Sequence, residues 1–286
     1  MPTELPADVN NKRTPRRVFL KRCLAGTVGI GTAGLGYSLF EAGWIRVHST
    51  TVRVPRLPPP FSGTTLALLA DIHHGPFTSL EYVQGLVQLT NSLSPDLIML
   101  AGDYIHRDGQ YIEPCIKALA NLKSPNGVYG VLGNHDHWHG AQATSRAMKA
   151  GGIVEMTNSG VWIERDGVRL RLSGVGDLWE DVQDLDRALA DTRQSETAIL
   201  LSHNPDFVER ITDPRVGLVL SGHTHGGQIV LPFVGAPRVP SRYGQKYLHG
   251  LVQTPHTQVF VTRGLGTVTP PLRFCCRPEI TLITIT

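Results

Sequence analysis

Five short runs, residues 66–70, 97–101, 128–132, 198–201 and 216–220, are apolar at almost every position and bounded by polar or turn-forming residues. A strand covered on both faces reads this way, because neither side of its pleat meets water. Between the first three runs the period lengthens. Ser79 is placed to cap a helix whose Val83, Leu86, Val87 and Leu93 fall on one face, and further helices are expected over 112–122 and 141–150. Strands alternating with helices predict parallel pairing through crossover connections. After Gly151 the pattern changes. Residues 161–163 and 169–172 flank Asp166-Gly167, a hairpin-turn pair, which makes this half partly antiparallel. Helices are expected again over 182–190 and 206–211, and strands over 228–230, 258–262 and 280–286. The pattern predicts an α/β fold of mixed α+β character, with two mixed sheets face to face and helices outside them.

The 286 residues are 41% hydrophobic, enough for a full core, and no linker divides the body into two equal parts. Two segments precede that body. In residues 1–42, Thr14-Pro15-Arg16-Arg17-Val18-Phe19-Leu20-Lys21 resembles the twin-arginine export signal. A Gly- and Ala-rich apolar run over 24–40 follows, shorter than the ~20 residues of a comfortable membrane span. The resemblance implies export by the twin-arginine machinery to the periplasm or cell envelope. No Ala-x-Ala cleavage site precedes residues 46–51, so an uncleaved N-terminus acting as a membrane anchor stays open. Residues 43–60, with four prolines in the six positions from Pro55 to Pro60, read as an extended tether to a catalytic domain over 61–286.

Charge narrows the partners. The net charge of +3 comes from 27 basic and 24 acidic residues. Residues 1–42 hold six of the former (Lys12, Arg13, Arg16, Arg17, Lys21, Arg22) and three of the latter (Glu4, Asp8, Glu41), which leaves 21 of each. A neutral body excludes nucleic-acid binding through a broad basic surface. Cys23 lies in the leader, and Cys115, Cys275 and Cys276 do not form a disulfide framework.

The chemistry sits where the apolar runs end. They lead into Asp71-Ile72-His73, Gly102-Asp103, Gly133-Asn134-His135-Asp136, Ser202-His203 and Gly222-His223-Thr224-His225. Ligands at the ends of parallel strands converge on one edge of a sheet. Two carboxylates, a carboxamide and several imidazoles suffice for two divalent ions sharing one bridging ligand. A mixed oxygen and nitrogen set without cysteine points to a catalytic centre and away from structural zinc. Glycines at 102, 133 and 222 precede ligands, where a side chain would obstruct a tight turn or a close approach.

With these motifs in this order, the chain resembles the calcineurin-like metallophosphoesterases from Leu66 to its end. Gly226-Gly227-Gln228, Pro240-Ser241-Arg242-Tyr243-Gly244, Arg263-Gly264-Leu265-Gly266 and Arg273-Phe274 with Pro278-Glu279-Ile280 make it similar to the exported bacterial YkuE and YaeI type. The resemblance implies a four-layer αββα sandwich. It also implies two divalent ions, Mn, Fe or Zn, one held by Asp71, His73, Asp103 and His225, the other by Asp103, Asn134, His203 and His223. Asp103 is then the bridge, and a hydroxide between the ions attacks phosphorus in line. His135 is the expected catalytic group at the leaving alkoxide, with Asp136 orienting its ring. His74 is a candidate for contact with a substrate phosphate, and Arg242 and Arg263 for pairing with phosphate or diphosphate. His106 is expected at the rim, with His137 and His139 turned outward.

The cluster spacing leaves no room for a cap domain, so an open groove suited to diesters or bulky head groups is expected. Residues 229–235 read either as a short core strand or as an apolar loop that touches an acyl chain or membrane. The expected activity is hydrolysis of a phosphodiester or pyrophosphate bond in a small-molecule, lipid or cell-wall substrate. A phosphomonoesterase and a UDP-2,3-diacylglucosamine hydrolase-like lipid A enzyme are the alternatives. A noncatalytic metal-binding scaffold is disfavoured because no expected ligand is missing.

Overall fold

The computed structural model describes residues 15–286. Thr14, the first residue of the export-signal-like motif, and Lys12 and Arg13 lie outside the described residues. Helix α1 (Pro15–Gly43) leads into strand β1 (Arg46–Val52). The sandwich is then built from β2 (Thr65–Leu69), α2 (Leu80–Ser92), β3 (Leu97–Leu100), α3 (Ile112–Leu119), β4 (Val128–Gly130), α4 (Asn134–Ala150) and β5 (Val154–Glu155). Its second half holds β6 (Ser159–Arg165), β7 (Val168–Gly174), α5 (Leu185–Leu189), β8 (Ala198–Leu201), β9 (Val216–Ser221), β10 (Gly250–Gln253), β11 (Gln258–Val261) and β12 (Glu279–Ile285).

These strands form two six-stranded sheets, in the orders β1-β12-β2-β3-β4-β5 and β10-β11-β9-β8-β7-β6. Strands β2 to β5 run parallel, as do β7, β8, β9 and β11. Strand β12 is antiparallel to β2, and the Asp166-Gly167 hairpin pairs β6 with β7. The pleat explains why the runs are apolar throughout. Leu66, Leu68 and Ala70 point into the core between the sheets, beside Leu172, Leu201 and Leu220. Ala67 and Leu69 point the other way, onto Val83 and Leu86 of α2 and Ile116 of α3. On the outer face of the second sheet, Leu200 and Val219 pack against Leu189 of α5 and Phe207. Each Leu buried in this way contributes about 1.5–3 kcal/mol. The result is the expected αββα sandwich, with the C-terminal ends of β2, β3, β4, β8 and β9 supplying the loops of one edge.

Several elements differ from the expectation. Residues 46–52, read as part of the tether, pair in parallel with β12 as an edge strand. Their polar Ser and Thr alternate with one poorly buried face, which hides a strand from a search for apolar runs. Helix α1 extends beyond both ends of the 24–40 run, and its stretch over Arg17–Gly43 is long and apolar enough to cross a membrane, a test that an export signal also passes. The segment 206–211 is a 3-10 turn, Pro205–Arg210, and α5 covers only Leu185–Leu189. Residues 228–230 make one isolated bridge, Ile229 to Phe274, and no strand. Phe233 and Val234 beyond them are exposed, so the alternative of a strand in the core is overturned.

Candidate metal centre

Every expected ligand arrives at the same edge from a strand end. Asp71 and His73 follow β2, Asp103 follows β3, Asn134 opens α4 after β4, His203 follows β8, and His223 and His225 follow β9. All seven are buried. The backbone turns sharply to present them: Asp71, His73, Asp103, His223 and His225 all have φ between 49° and 69°. Non-glycine residues adopt this left-handed region rarely, and such outliers cluster at functional sites. The glycines act by leaving space. A Cβ on Gly222 would lie 2.6 Å from Oδ2 of Asp71, and one on Gly102 would lie 2.6 Å from the Gly133 nitrogen.

The donor atoms fall into two groups around one shared carboxylate. Oδ2 of Asp103 is 3.5 Å from Nε2 of His73 and 3.3 Å from Nε2 of His203. In the first group, Nε2 of His73 and Nε2 of His225 are 3.0 Å apart, and Nε2 of His225 is 3.6 Å from Oδ1 of Asp71. In the second, Nε2 of His203 is 3.2 Å from Oδ1 of Asn134 and 3.2 Å from Nδ1 of His223. Two ligands at about 2.1 Å from one ion, at angles between octahedral and tetrahedral, stand about 3.0–3.4 Å apart. The separations lie in or near that range, so the residues present fit two ions bridged by Asp103. Nδ1 of His203 is tied to the Ala101 carbonyl at 2.7 Å, which turns Nε2 inward.

The electrostatics agree with a cation site. Burial lowers the His73, His223 and His225 imidazoles, His223 to about 3, leaving their nitrogen lone pairs free. Burial also opposes charge on His203, but the Asp103 carboxylate, its hydrogen bond, Asp71 and Asp177 prevail and raise the imidazole to about 10. Asp103 is held well below the usual carboxylate range by His203 and His73, against the burial that pushes it up. Burial, aided by Asp103 and opposed by His203, raises Asp71 to about 7. Without metal, a proton on His203 balances the bridging carboxylate.

His135 stands at the mouth of this centre. Its ring is edge-on to His73 with centroids 4.6 Å apart, and burial lowers its pKa. Its backbone N–H donates to Oδ1 of Asp103 at 2.9 Å. Asp136 does not orient the His135 ring. Its carboxylate instead accepts backbone N–H groups from Asp103 at 2.8 Å, Tyr104 at 2.9 Å and Gly133 at 2.9 Å. Adjacent helical residues point about 100° apart, so Asp136 faces inward while His135 faces the cleft. Its work is to clamp the bridging Asp103 loop onto the start of α4.

The three substrate candidates are elsewhere. His74 is buried, with Nδ1 2.8 Å from the Thr78 carbonyl and its ring against Tyr111. The Arg263 guanidinium lies against His249, with Nη2 3.0 Å from its Nε2, behind the metal loops. Arg242 is exposed and does not line the cleft over the centre. That cleft, about 490 Å³, is lined by Asp103, Asn134, His135, His223 and His225 together with Trp138, Trp179, Arg238, Thr269 and Pro270. Trp138 packs on His135 at 4.6 Å and Trp179 on His223 at 4.4 Å, each about half exposed. Trp138 lies inside the richest motif and was within reach of the sequence; Trp179 and Arg238 carry no local signal. His106 lines the cleft as expected, although little of it is exposed, with Nδ1 3.3 Å from Nδ1 of His135. Gln228 braces the opposite wall, donating to the Pro270 carbonyl at 3.1 Å and accepting from the Val268 N–H at 2.7 Å.

This fold and this pair of ligand groups define a calcineurin-like phosphoesterase, and the chain belongs to that family, whose profile matches residues 64–227. It is therefore a metal-dependent phosphoester hydrolase. The chain is 35% identical over 282 residues to the uncharacterized metallophosphoesterase YkuE of Bacillus subtilis (strain 168), covering 96% of this chain and 98% of that one. It is 31% identical over 277 residues to phosphodiesterase YaeI of Escherichia coli (strain K12), covering 94% and 98%. The NAD nucleotidase NadN of Haemophilus influenzae is 17% identical with a TM-score of 0.46, over 71% of this chain and 45% of that one.

Proposed function

We propose that the chain is a phosphodiesterase or pyrophosphatase of the cell envelope, held at the membrane by α1. The observation that carries the reading is Asp103, whose single Oδ2 atom faces His73 and His203 in two separate ligand groups. Two divalent ions there would supply Lewis-acid charge for the phosphoryl oxygens and activate the attacking water. Asp71, His73, Asp103 and His225 hold one, and Asp103, Asn134, His203 and His223 the other. His135, at the mouth, is placed to donate its proton to the departing oxygen. Arg238 brings a cation to the cleft wall, and the cleft of about 490 Å³, with Trp138 against His135 and Trp179 against His223, has room for two substituents on phosphorus. A diester needs that room and a simple monoester does not. The name of YaeI, a phosphodiesterase, supports the same choice. The placement at the envelope rests on Arg16-Arg17 and on the exposed apolar helix that follows.

The test is hydrolysis of aryl phosphodiester, diphosphodiester and phosphomonoester by the full chain loaded with Mn, Fe, Zn or Mg. Diester or diphosphate turnover above monoester turnover, abolished by Asp103→Asn, supports the reading. A preference for monoesters, or turnover that survives Asp103→Asn, overturns it. Recovery of the chain in the soluble cytoplasmic fraction would overturn the envelope placement.

A further inference from the structure

Helix α1 is exposed along most of its length, yet two of its described side chains, Ser38 and Glu41, are buried. Glu41 has no accessible surface, and among the described residues it forms no ion pair with a lysine or arginine. It accepts the backbone N–H groups of Cys275, at 2.9 Å, and Cys276. Cys275 has φ 51°, the conformation that turns successive N–H groups toward one anion. The loop so held lies against the metal centre. The Cys276 thiol donates to the His225 and Gly226 carbonyls, both at 3.3 Å. The Arg273 guanidinium, fully buried, donates to the Cys276 carbonyl at 3.1 Å and the Gly266 carbonyl at 2.7 Å. Gly266 in turn donates its N–H to the Asp71 carbonyl at 2.6 Å. His225 and Asp71, the residues at the ends of these two paths, belong to the same ligand group.

We infer that Glu41 is a positioning residue for the ion held by Asp71, His73 and His225, and that the end of α1 is a permanent part of the catalytic domain. Three further contacts hold this join. The Ser38 carbonyl accepts the Arg273 N–H at 3.1 Å, Tyr37 meets Phe274 edge-on at 5.7 Å, and the Arg277 guanidinium lies 3.7 Å from the Trp44 ring centroid. Any removal of the leader must therefore fall before Tyr37. Asp103, Asn134 and His203 of the second group are reached by neither path, and the group's link to the path that ends on Asp71 is the His223 N–H, which donates to the Asp71 carboxylate at 2.9 Å and 3.0 Å.

The inference rests on the two-ion reading, and the experiment separates the two. Mn²⁺ binding to the full chain in detergent is measured calorimetrically for wild type, Glu41→Gln and Glu41→Asp. Substitution of a group that supports a metal ligand typically weakens binding about 10- to 100-fold. The expected result is about a tenfold loss at the site that His73→Asn removes, with a clearly smaller loss at the other, which is joined to it through the His223 N–H and Asp71. Partial recovery is expected in Glu41→Asp, which keeps the charge. Equal weakening of both sites, or of neither, overturns the positioning role, whereas a wild-type chain that binds fewer than two ions overturns the proposed function. The intact mass of the chain recovered from its own cells gives the second readout, independent of metal. An N-terminus at or before Tyr37 supports the inference; one after Tyr37 overturns it.

Discussion

Nδ1 of His106 and Nδ1 of His135 face each other at 3.3 Å, within reach of a hydrogen bond when one of the two carries a proton. That contact fixes which nitrogen of His135 is left to face the cleft. Replacing His135 with Asn is expected to lower kcat by about 10²- to 10⁴-fold, the range of a lost general acid. His106→Ala should cost about 10-fold or more, mostly in kcat, because the imidazole is left free to turn. Steady-state kinetics of the two variants and their double mutant check this: strongly non-additive losses are expected, and simple additivity would contradict the pairing.

Asp136→Asn is expected to act on folding and metal retention before it acts on proton transfer. The amide that replaces the carboxylate can accept from some of the N–H groups of Asp103, Tyr104 and Gly133 but turns its own donors toward the rest. A buried donor without a partner costs about 1–3 kcal/mol. Denaturant unfolding should show a loss of that size. A variant of native stability with an altered pH–rate profile would restore the discarded role as partner of His135.

Loading with metal is expected to release protons and to tighten as pH rises. His203 is raised from 6.5 to about 10 in the metal-free centre, so at pH 8 it must lose its proton before it can bind an ion. Calorimetry in buffers of different ionisation enthalpy should count about one proton released there. The same shift stabilises the metal-free fold. A folded pKa above the unfolded one gives stability that is full below pH 6.5 and lost as pH rises through about 10. Thermal melts of metal-free protein between pH 6.5 and 10 should fall accordingly, and His203→Asn should flatten the slope.

Trp138→Ala and Trp179→Ala are expected to raise KM for aryl diesters by about 3- to 10-fold with little change in kcat, since stacking contributes about 0.5–1.5 kcal/mol. Equal KM for aryl and small alkyl diesters in the wild type would show that neither ring meets the substrate.

How much of this was legible depended on which physical signal each feature leaves in the chain. Strands β2, β3, β8 and β9 were visible because both faces are buried, and the ligand clusters because each follows an apolar run; which seven of their residues ligate came from the family resemblance. Strand β1 was not, since Val47, Ser49 and Thr51 leave one face exposed and its partner β12 is more than 200 residues away. Asp136 was misread through adjacency: a neighbour in sequence is not a neighbour on a helix. Trp179 and Arg238 join the cleft by long-range folding alone. His74 looked like a site residue because it follows His73, but the turn after β2 sends successive side chains to different places.

Five ligands share a left-handed backbone, and this bears on how the centre can be dissected and how it can drift. Asp and His, with Asn, are the non-glycine residues that enter that region most readily, so conformation and coordination select the same residue types at 71, 73, 103, 223 and 225. Alanine there removes a donor and also loses a side chain suited to the bend, so its effect mixes two causes. Glycine keeps the bend and brings no donor, so the difference between the alanine and glycine substitutions isolates what the backbone alone demands.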